Sequence, residues 1–279
     1  MVRTVLVLSM LTLMGVYLGC DDSDAGPAPR LYGINWKVSG WSVQVFLNGL
    51  LIEDPKGGGG WSPVTNLVVD GTNTVLVSGK QTDDSALPLI VGVGRSRTVY
   101  EEGRKMGGPV EEWLGQLRVE PSAVGTKIDK TFEFKANVPI TWFWQGADVI
   151  EDLSESDREA ILEQVRKVRD ALRQNAPDLY AETIERRLRD WAHYTGESVE
   201  EVEAEETAFF RDLLAEGDYT VSMREPTEIE MEVFGRLVLI NAGQWPEYWL
   251  IRVTSEDGRT YRFSRLIVCR IDGKWYRVT

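Results

Sequence analysis

The sequence predicts an α+β protein of two domains, an antiparallel β-sandwich followed by helices packed on an antiparallel sheet. The first half of the chain holds short alternating or β-rich runs between turn residues, and the stretch after it has a helical period. The last part returns to alternating runs, and helices followed by an antiparallel meander are typical of an α+β layer. We therefore expect a β-sandwich over residues 31–136, a connector over 137–155 and the α+β domain over 156–279.

The composition indicates a folded, acidic protein. Hydrophobic residues make up 43% of the 279 positions and aromatic residues 10%, which is enough for a sizeable core. The formal net charge of -13 provides no basic surface for a polyphosphate, so we expect no nucleic-acid partner. One His and two Cys are too few ligands for a zinc or iron–sulfur site, so we expect neither a metal nor a cofactor.

The N-terminus has the features of an export signal. Arg3 precedes an apolar run from Val5 to Leu18, which as a helix would span only about 21 Å against about 30 Å of membrane hydrocarbon. A run of this length favours a cleaved signal peptide over residues 1–19. Residues 20–30, which are rich in Asp and Pro, are then expected to form a tether.

Gly19-Cys20 at the end of the apolar run resembles the lipobox of bacterial lipoproteins. The resemblance implies lipid attachment at Cys20 and a membrane-anchored protein of the cell envelope that faces the periplasm. Asp21 and Asp22 resemble the signal that keeps enterobacterial lipoproteins at the inner membrane, which favours that membrane over the outer one. Two alternatives stay open: an ordinary signal peptide, or a disulfide between Cys20 and Cys269 in an oxidising compartment.

Short strands account for most of the predicted sandwich. Asn48-Gly49 lies between two apolar runs and predicts a tight hairpin. Trp142 and Trp144 share a face either of the last sandwich strand, which the alternation favours, or of an apolar contact between the domains. The predicted strands are Leu31–Val38, Trp41–Leu47, Leu67–Val69, Asn73–Val77, Leu89–Val93, Leu117–Val119 and Thr131–Lys135.

Part of the sandwich resembles the jelly-roll modules that accompany glycosidase barrels. The resemblance implies carbohydrate binding, and in that case we expect Trp41 or Trp61 to be exposed in a shallow groove. The segments that carry it are Val45–Gly49, the glycine loop Gly57–Gly60, Pro63–Leu67 and Gly71–Val75.

Three helices are predicted after the connector. Ser156 and Glu159 form a capping box for the first, Pro177 opens the second, which stops at Gly196, and Ser198 with Glu201 caps the third. The residues expected to be buried are Ile161, Val165, Val168 and Leu172 in the first helix, Leu179, Ile184, Leu188 and Trp191 in the second, and Val202, Phe209, Phe210, Leu213 and Leu214 in the third, which Gly217 ends.

Strands follow at 229–233, 237–240, 249–253, 261–271 and 275–278, and Asp272-Gly273 joins the last two. This order, closing with the run from Ile271 to Val278, resembles the NTF2-like (cystatin-like α+β cone) superfamily. The resemblance implies helices on a strongly curved sheet that often encloses a pocket, and pairing of two copies through the sheet as a homodimer.

Arg265 is the candidate ligand-binding residue of this domain. In a regular strand from Tyr261 to Ile271, Arg265 shares a face with apolar residues, and a buried guanidinium needs a carboxylate or an anionic ligand. Tyr261, Trp249 and Trp275 would then line a pocket for an acidic ligand. A β-bulge that turns Arg265 outward and an internal ion pair are the alternatives.

The only histidine, His193, is expected to be exposed, because it lies about 200° around the helix from Trp191. Asp190 is expected on the same outer face, so no nucleophile and base pair can be assembled and no catalytic residue is predicted. We therefore expect non-catalytic binding or scaffolding of an unknown protein or small ligand. Two alternatives stay open: an NTF2-like enzyme with a buried Asp or Glu as base, and carbohydrate binding through the sandwich.

Overall fold

The computed structural model describes residues 30–55, 57–101, 104–107, 110–208, 210, 218–242, 249–256, 258 and 260–279. Within these ranges it holds helices and four antiparallel sheets, which confirms the α+β class. The predicted signal peptide, Cys20 and the tether as far as residue 29 lie outside the described residues. No described helix is long and apolar enough to cross a membrane.

The first half of the chain forms two sheets that face each other. Its strands are β1 Arg30–Lys37, β2 Trp41–Leu47, β3 Leu50–Glu53, β4 Gly59–Pro63, β5 Gly71–Gln81, β6 Leu89–Glu101, β7 Arg104–Gly107, β8 Glu112–Val119 and β9 Lys127–Ala136. The first sheet has the order β4-β1-β6-β7, with β8 also paired to β6, and the second has the order β3-β2-β5-β9. Inward-facing residues such as Ile34, Val45 and Val91 are fully buried between the two sheets.

Local turn chemistry explains one confirmed prediction and one that is wrong. Asn48 and Gly49 both have positive φ angles, 51° and 86°, and join β2 to β3 as the predicted hairpin. Leu67–Val69 is not a strand, because the chain forms a 3-10 helix at Thr65–Leu67. The Thr65 hydroxyl accepts a hydrogen bond from the Tyr32 backbone N–H at 2.9 Å and so ties this turn to β1.

The helices are α1 Glu155–Arg173, α2 Pro177–Thr183, α3 Glu185–Thr195 and α4 Val199–Glu206. The apolar stripe predicted for α1 is buried, but the capping box consists of Ser154 and Asp157 and not of Ser156 and Glu159. Ser198 and Glu201 cap α4 as predicted. Residue 209 and residues 211–217, where the predicted third helix continues, lie outside the described ranges.

The predicted second helix is divided in two. Ile184, with φ of -122°, separates α2 from α3. α2 buries Tyr180 and Ala181, and Leu179 is 40% exposed instead of buried. Tyr180, and not Leu179, lies four residues before the buried Ile184 and therefore on the same side of the helix. Gly196 ends α3 in the left-handed conformation, as predicted.

The remaining strands form two further antiparallel sheets. They are β10 Tyr219–Met223, β11 Ile229–Phe234, β12 Leu237–Ala242, β13 Ile251–Ser255, β14 Thr260–Phe263, β15 Arg265–Ile271 and β16 Lys274–Arg277. The sheet orders are β10-β13-β14 and β11-β12-β15-β16. The prediction of one regular strand from Tyr261 to Ile271 is wrong, because Ser264 separates β14 from β15 and the two strands belong to different sheets.

In the sheet β11-β12-β15-β16, the two central strands β12 and β15 are buried on both faces, whereas the edge strand β11 exposes Glu230 and Glu232. All six residues of β12 are buried. Leu239 and Cys269 point into the core of the sandwich, whereas Val238 and Val268 point into the core beneath the helices. Since neighbouring residues of a strand point to opposite faces, this sheet forms the layer that joins the two halves of the molecule.

Trp142 and Trp144 lie at the contact between the two halves. The prediction of a last sandwich strand is wrong here, because Phe143–Gly146 is a 3-10 helix. Each indole N–H instead donates to a backbone carbonyl of the sandwich: Trp142 to Val68 at 2.7 Å and Trp144 to Asn66 at 2.9 Å. The alternative prediction, an apolar contact between the domains, describes this segment.

Helix α3 completes this contact. The ring of Trp142 stacks on Trp191 with 6.3 Å between centroids and lies 5.5 Å from Tyr194. The Tyr194 hydroxyl donates a hydrogen bond to the carbonyl of Arg30, at the start of β1. The start of the sandwich is thereby attached to the helices.

Candidate functional site

Arg265 takes part in an internal ion pair. Its Nη2 lies 3.8 Å from Oε2 of Glu53 on β3, and the other carboxylate oxygen of Glu53 accepts a hydrogen bond from the Ser62 hydroxyl at 2.6 Å. Of the three sequence interpretations of Arg265, the structure therefore shows the ion pair. The pair connects β15 to the sandwich.

Two of the other three predicted ligand residues, Trp249 and Trp275, contact groups other than Arg265. Trp249 is 8% exposed and lies beneath two guanidinium groups, those of Arg224 at 4.2 Å and Arg252 at 4.6 Å. Trp275 faces α1, where its indole N–H donates to Asp157 at 3.3 Å. The backbone of Tyr261 pairs with Val253 in the three-stranded sheet, and its side chain lies outside the described part of the chain.

His193 is exposed, as predicted, but Asp190 is not on the outer face. The Asp190 carboxylate accepts a hydrogen bond from the backbone N–H of Phe143, at the first turn of the 3-10 helix. Burial raises the pKa of Asp190, while the Phe143 N–H and the charge of His193 act in the opposite direction. Asp190 therefore connects α3 to the contact between the two halves.

The outer face of the first sheet carries the largest exposed aromatic groups of the sandwich. Trp61 on β4 is 41% exposed and Trp113 on β8 is 51% exposed. Residues that are paired across neighbouring strands lie on the same face of the sheet. The residues of this outer face therefore form rows that run across β4, β1, β6 and β8. One row is Trp61, Asn35, Gly92 and Gln116, and the next is Pro63, Gly33, Gly94 and Trp113.

Each tryptophan ring lies on a glycine of the neighbouring strand. A Cβ atom on Gly33 would lie 2.0 Å from Nε1 of Trp61, and one on Gly92 would lie 2.8 Å from Cζ3 of Trp113. Neither ring could keep its position over a residue with a side chain, so the glycines allow the indoles to lie against the backbone. We call this surface, formed by Trp61, Trp113, Asn35, Gly33 and Gly92, the tryptophan platform.

The tryptophan platform combines apolar rings with neutral polar groups. Asn35 lies in the row between Trp61 and Gly92, and its buried Nδ2 has no hydrogen-bond acceptor among the described residues. Trp113 also lines a hollow of about 510 Å³ between β8 and β9, together with Glu112, Glu133 and Lys135. Trp113 thus belongs to both surfaces, and the platform continues into the hollow.

Sequence reasoning found only part of this site. Trp61 was named as a candidate through the jelly-roll resemblance, and Trp41, the other candidate, is buried in the sandwich core at 1% exposure. Trp113 was missed because its strand was predicted to begin at Leu117. The available signal was the presence of glycines at alternating positions, Gly92 and Gly94, inside a strand, which indicates a close approach of another group to the backbone.

Among the described residues, no group of three or more His, Cys, Asp and Glu side chains is placed to hold a metal ion. Comparisons of the chain with protein-family models, with curated proteins and with solved structures found no match.

Proposed function

We propose that this chain is a lipid-anchored protein of the bacterial envelope that faces the periplasm and works as a non-catalytic binding module. The tryptophan platform is its binding surface. The observation that carries the proposal is the exposure of two large rings, Trp61 at 41% and Trp113 at 51%, on one face of one sheet. Contiguous exposed apolar surface with a polar rim is typical of interaction sites.

The state of Cys269 supports lipidation of Cys20 over a disulfide between the two cysteines. Cys269 has no disulfide partner in the described part of the chain, and it is fully buried in β15 on the face that packs against the sandwich. Burial raises the pKa of this thiol to about 12, so it stays protonated and poorly reactive. Retention at the inner membrane remains a proposal that rests on Asp21 and Asp22.

For the C-terminal half we propose an NTF2-like fold that supports the sandwich. Helices α1–α4 precede the strands, and Asp272 and Gly273 form the predicted hairpin between β15 and β16 with φ angles of 51° and 73°. Large side chains such as Phe210 and Leu188 fill the described core beneath the helices, which favours support over the alternative of proton transfer in a cone. Homodimerisation remains a prediction, and pairing through the inner sheet would require its contact with the sandwich to open.

Mass spectrometry of the mature protein tests the anchor. We expect the chain to begin at a lipid-modified Cys20, and we expect a Cys20→Ser variant to leave the membrane fraction. An unmodified Cys20, or cleavage at another residue, would contradict the anchor.

Retention on isolated envelopes tests the binding surface. The Cys20→Ser chain, which lacks the anchor, is mixed with envelopes from the source cells and sedimented. We expect retention that is lost when Trp61 and Trp113 are both replaced by Ala and kept in a Leu87→Ala control, since Leu87 is equally apolar and 61% exposed at another place on the surface. Retention that does not depend on the two tryptophans would overturn the proposed function.

A further inference from the structure

We propose that the tryptophan platform binds a neutral glycan chain of β-linked pyranose rings. This inference rests on the proposed function, because it assigns a ligand class to the same surface. It follows from the shape of the platform, from its charge and from its continuation past Trp113.

The shape of the platform fits a flat ligand. Gly33 and Gly92 let the two indoles lie against the sheet, so their free faces form a low surface with few protruding side chains between them. Trp61 and Trp113 are attached to strands three spacings apart, about 14 Å at about 4.8 Å each, and their rings point towards each other onto Gly33 and Gly92 of the neighbouring strands β1 and β6. A pyranose ring has an apolar C–H face that stacks on an aromatic ring, and equatorial linkages keep a chain of such rings extended and flat.

The polar groups on the platform and next to it suit uncharged hydroxyl groups. Asn35 and Gln116 lie in the same row as Trp61 and carry amides, which both donate and accept hydrogen bonds. Because the buried Nδ2 of Asn35 has no acceptor among the described residues, a hydroxyl oxygen that reaches it after a small shift of the amide would satisfy it. The net charge of -13 disfavours the polyanionic ligands that also stack on aromatic rings.

The size of the platform favours a glycan over a folded protein partner. A stable protein interface buries about 800 Å² on each side and uses about 20–30 residues. The platform instead offers two aromatic rings and an adjoining hollow of about 510 Å³, a volume within the range of sites that hold small ligands or a few sugar units. Since Trp113 lines both, a chain stacked on the platform is positioned to continue into the hollow, and the affinity should increase with chain length.

Calorimetric titration of the full chain in mild detergent tests this assignment. The probes are cellohexaose and chitohexaose, which are β-1,4-linked, and maltohexaose, which is α-linked and coiled. We expect binding of at least one β-linked hexamer, weaker binding of the corresponding dimer and no comparable binding of maltohexaose. Trp61→Ala and Trp113→Ala should each weaken the binding at least about tenfold, and Leu87→Ala should leave it unchanged.

A second kind of variant tests the platform without removing a tryptophan ring. Gly33→Ala retains Trp61 but places a Cβ atom where the indole lies, so it should also weaken binding at least about tenfold. Gly146→Ala is the matched control, because a Cβ atom there meets nothing within 4 Å and its φ angle is not positive. Circular dichroism confirms that each variant is folded before its binding is compared.

Three results would overturn the glycan assignment. They are the absence of binding by both β-linked hexamers, equal binding of maltohexaose, and binding that is unchanged in both tryptophan variants. Absence of hexamer binding together with tryptophan-dependent retention on envelopes would overturn the glycan and leave the binding function in place. Loss of that retention after protease treatment of the envelopes would assign the platform to a protein partner and would also overturn the glycan.

Discussion

The outer face of the first sheet and the inner sheet β11-β12-β15-β16 differ in what covers them. The central strands β12 and β15 of the inner sheet are covered by the helices on one side and by the sandwich on the other, and branched side chains such as Leu239 and Val268 fill both contacts. The first sheet presents Gly33, Gly92 and Gly94 on its outer face, and the nearest side chains over them are those of Trp61, Trp113 and Val110 among the described residues. The comparison shows how the residues at alternating strand positions decide whether a face joins the core or stays accessible.

Trp142 and Trp61 show the same difference at the level of single residues. Trp142 is 2% exposed, and its indole N–H donates to a carbonyl, as is usual for a tryptophan of a core. Trp61 keeps one face of its ring on a glycine and leaves the other accessible. The first type should determine stability and the second should determine binding, and the experiments below test this division from the largest expected effect to the smallest.

Replacement of Trp142 by Ala should give the largest loss of stability. It removes a buried ring at the contact between the two halves, together with its stacking on Trp191, so we expect the free energy of unfolding to fall by about 3–5 kcal/mol. Urea unfolding followed by circular dichroism measures this change. Trp61→Ala is the matched control and should cost much less, and equal losses in the two variants would contradict the division.

Replacement of Asp190 by Asn should have a smaller effect that depends on pH. Burial raises the pKa of Asp190 in the folded chain above its value in the unfolded chain. At pH values between these two pKa values, the folded state therefore binds more protons than the unfolded state. The contribution of Asp190 to the free energy of unfolding therefore falls as the pH rises through this window. Asn cannot ionise and still offers an oxygen to the Phe143 N–H.

We therefore expect the stability of Asp190→Asn, relative to the unmodified chain, to increase from about pH 3 to about pH 7 in urea unfolding experiments. Asp190→Ala, which also removes the acceptor, should be less stable than Asp190→Asn at every pH. A relative stability of Asp190→Asn that decreases over this range would contradict the assigned cause of the pKa shift.

The ion pair between Arg265 and Glu53 should give the smallest effect. Their closest nitrogen and oxygen atoms are 3.8 Å apart, and the side chains are 18% and 23% exposed, so we expect a coupling energy of about 1 kcal/mol or less. A double-mutant cycle with Arg265→Ala and Glu53→Ala in urea unfolding measures it. A coupling energy well above this value would mean that the ion pair stabilises the contact between β15 and the sandwich as much as apolar packing does.

The sequence predicted the α+β class, the hairpin at Asn48-Gly49 and the stripe of α1, because local turn chemistry and periodicity determine these features. It did not predict the break at Ser264 or the burial of β12 and β15 on both faces, since these depend on contacts between distant segments. The same limit explains why the sequence indicated Arg265 but not the residue that pairs with it. Arg265 among apolar residues indicated a need for a partner, but Glu53, the partner in the ion pair, is more than two hundred positions away in the chain.

Oxidative footprinting of the full chain, read by mass spectrometry, tests most directly whether the tryptophan platform is an accessible binding face. We expect Trp61 and Trp113 to be modified in the free protein and protected by a saturating β-linked hexamer, while Trp41 and Trp142 stay unmodified in both conditions. Protection of Trp61 and Trp113 in the free protein, or modification of both that the hexamer leaves unchanged, would contradict the account.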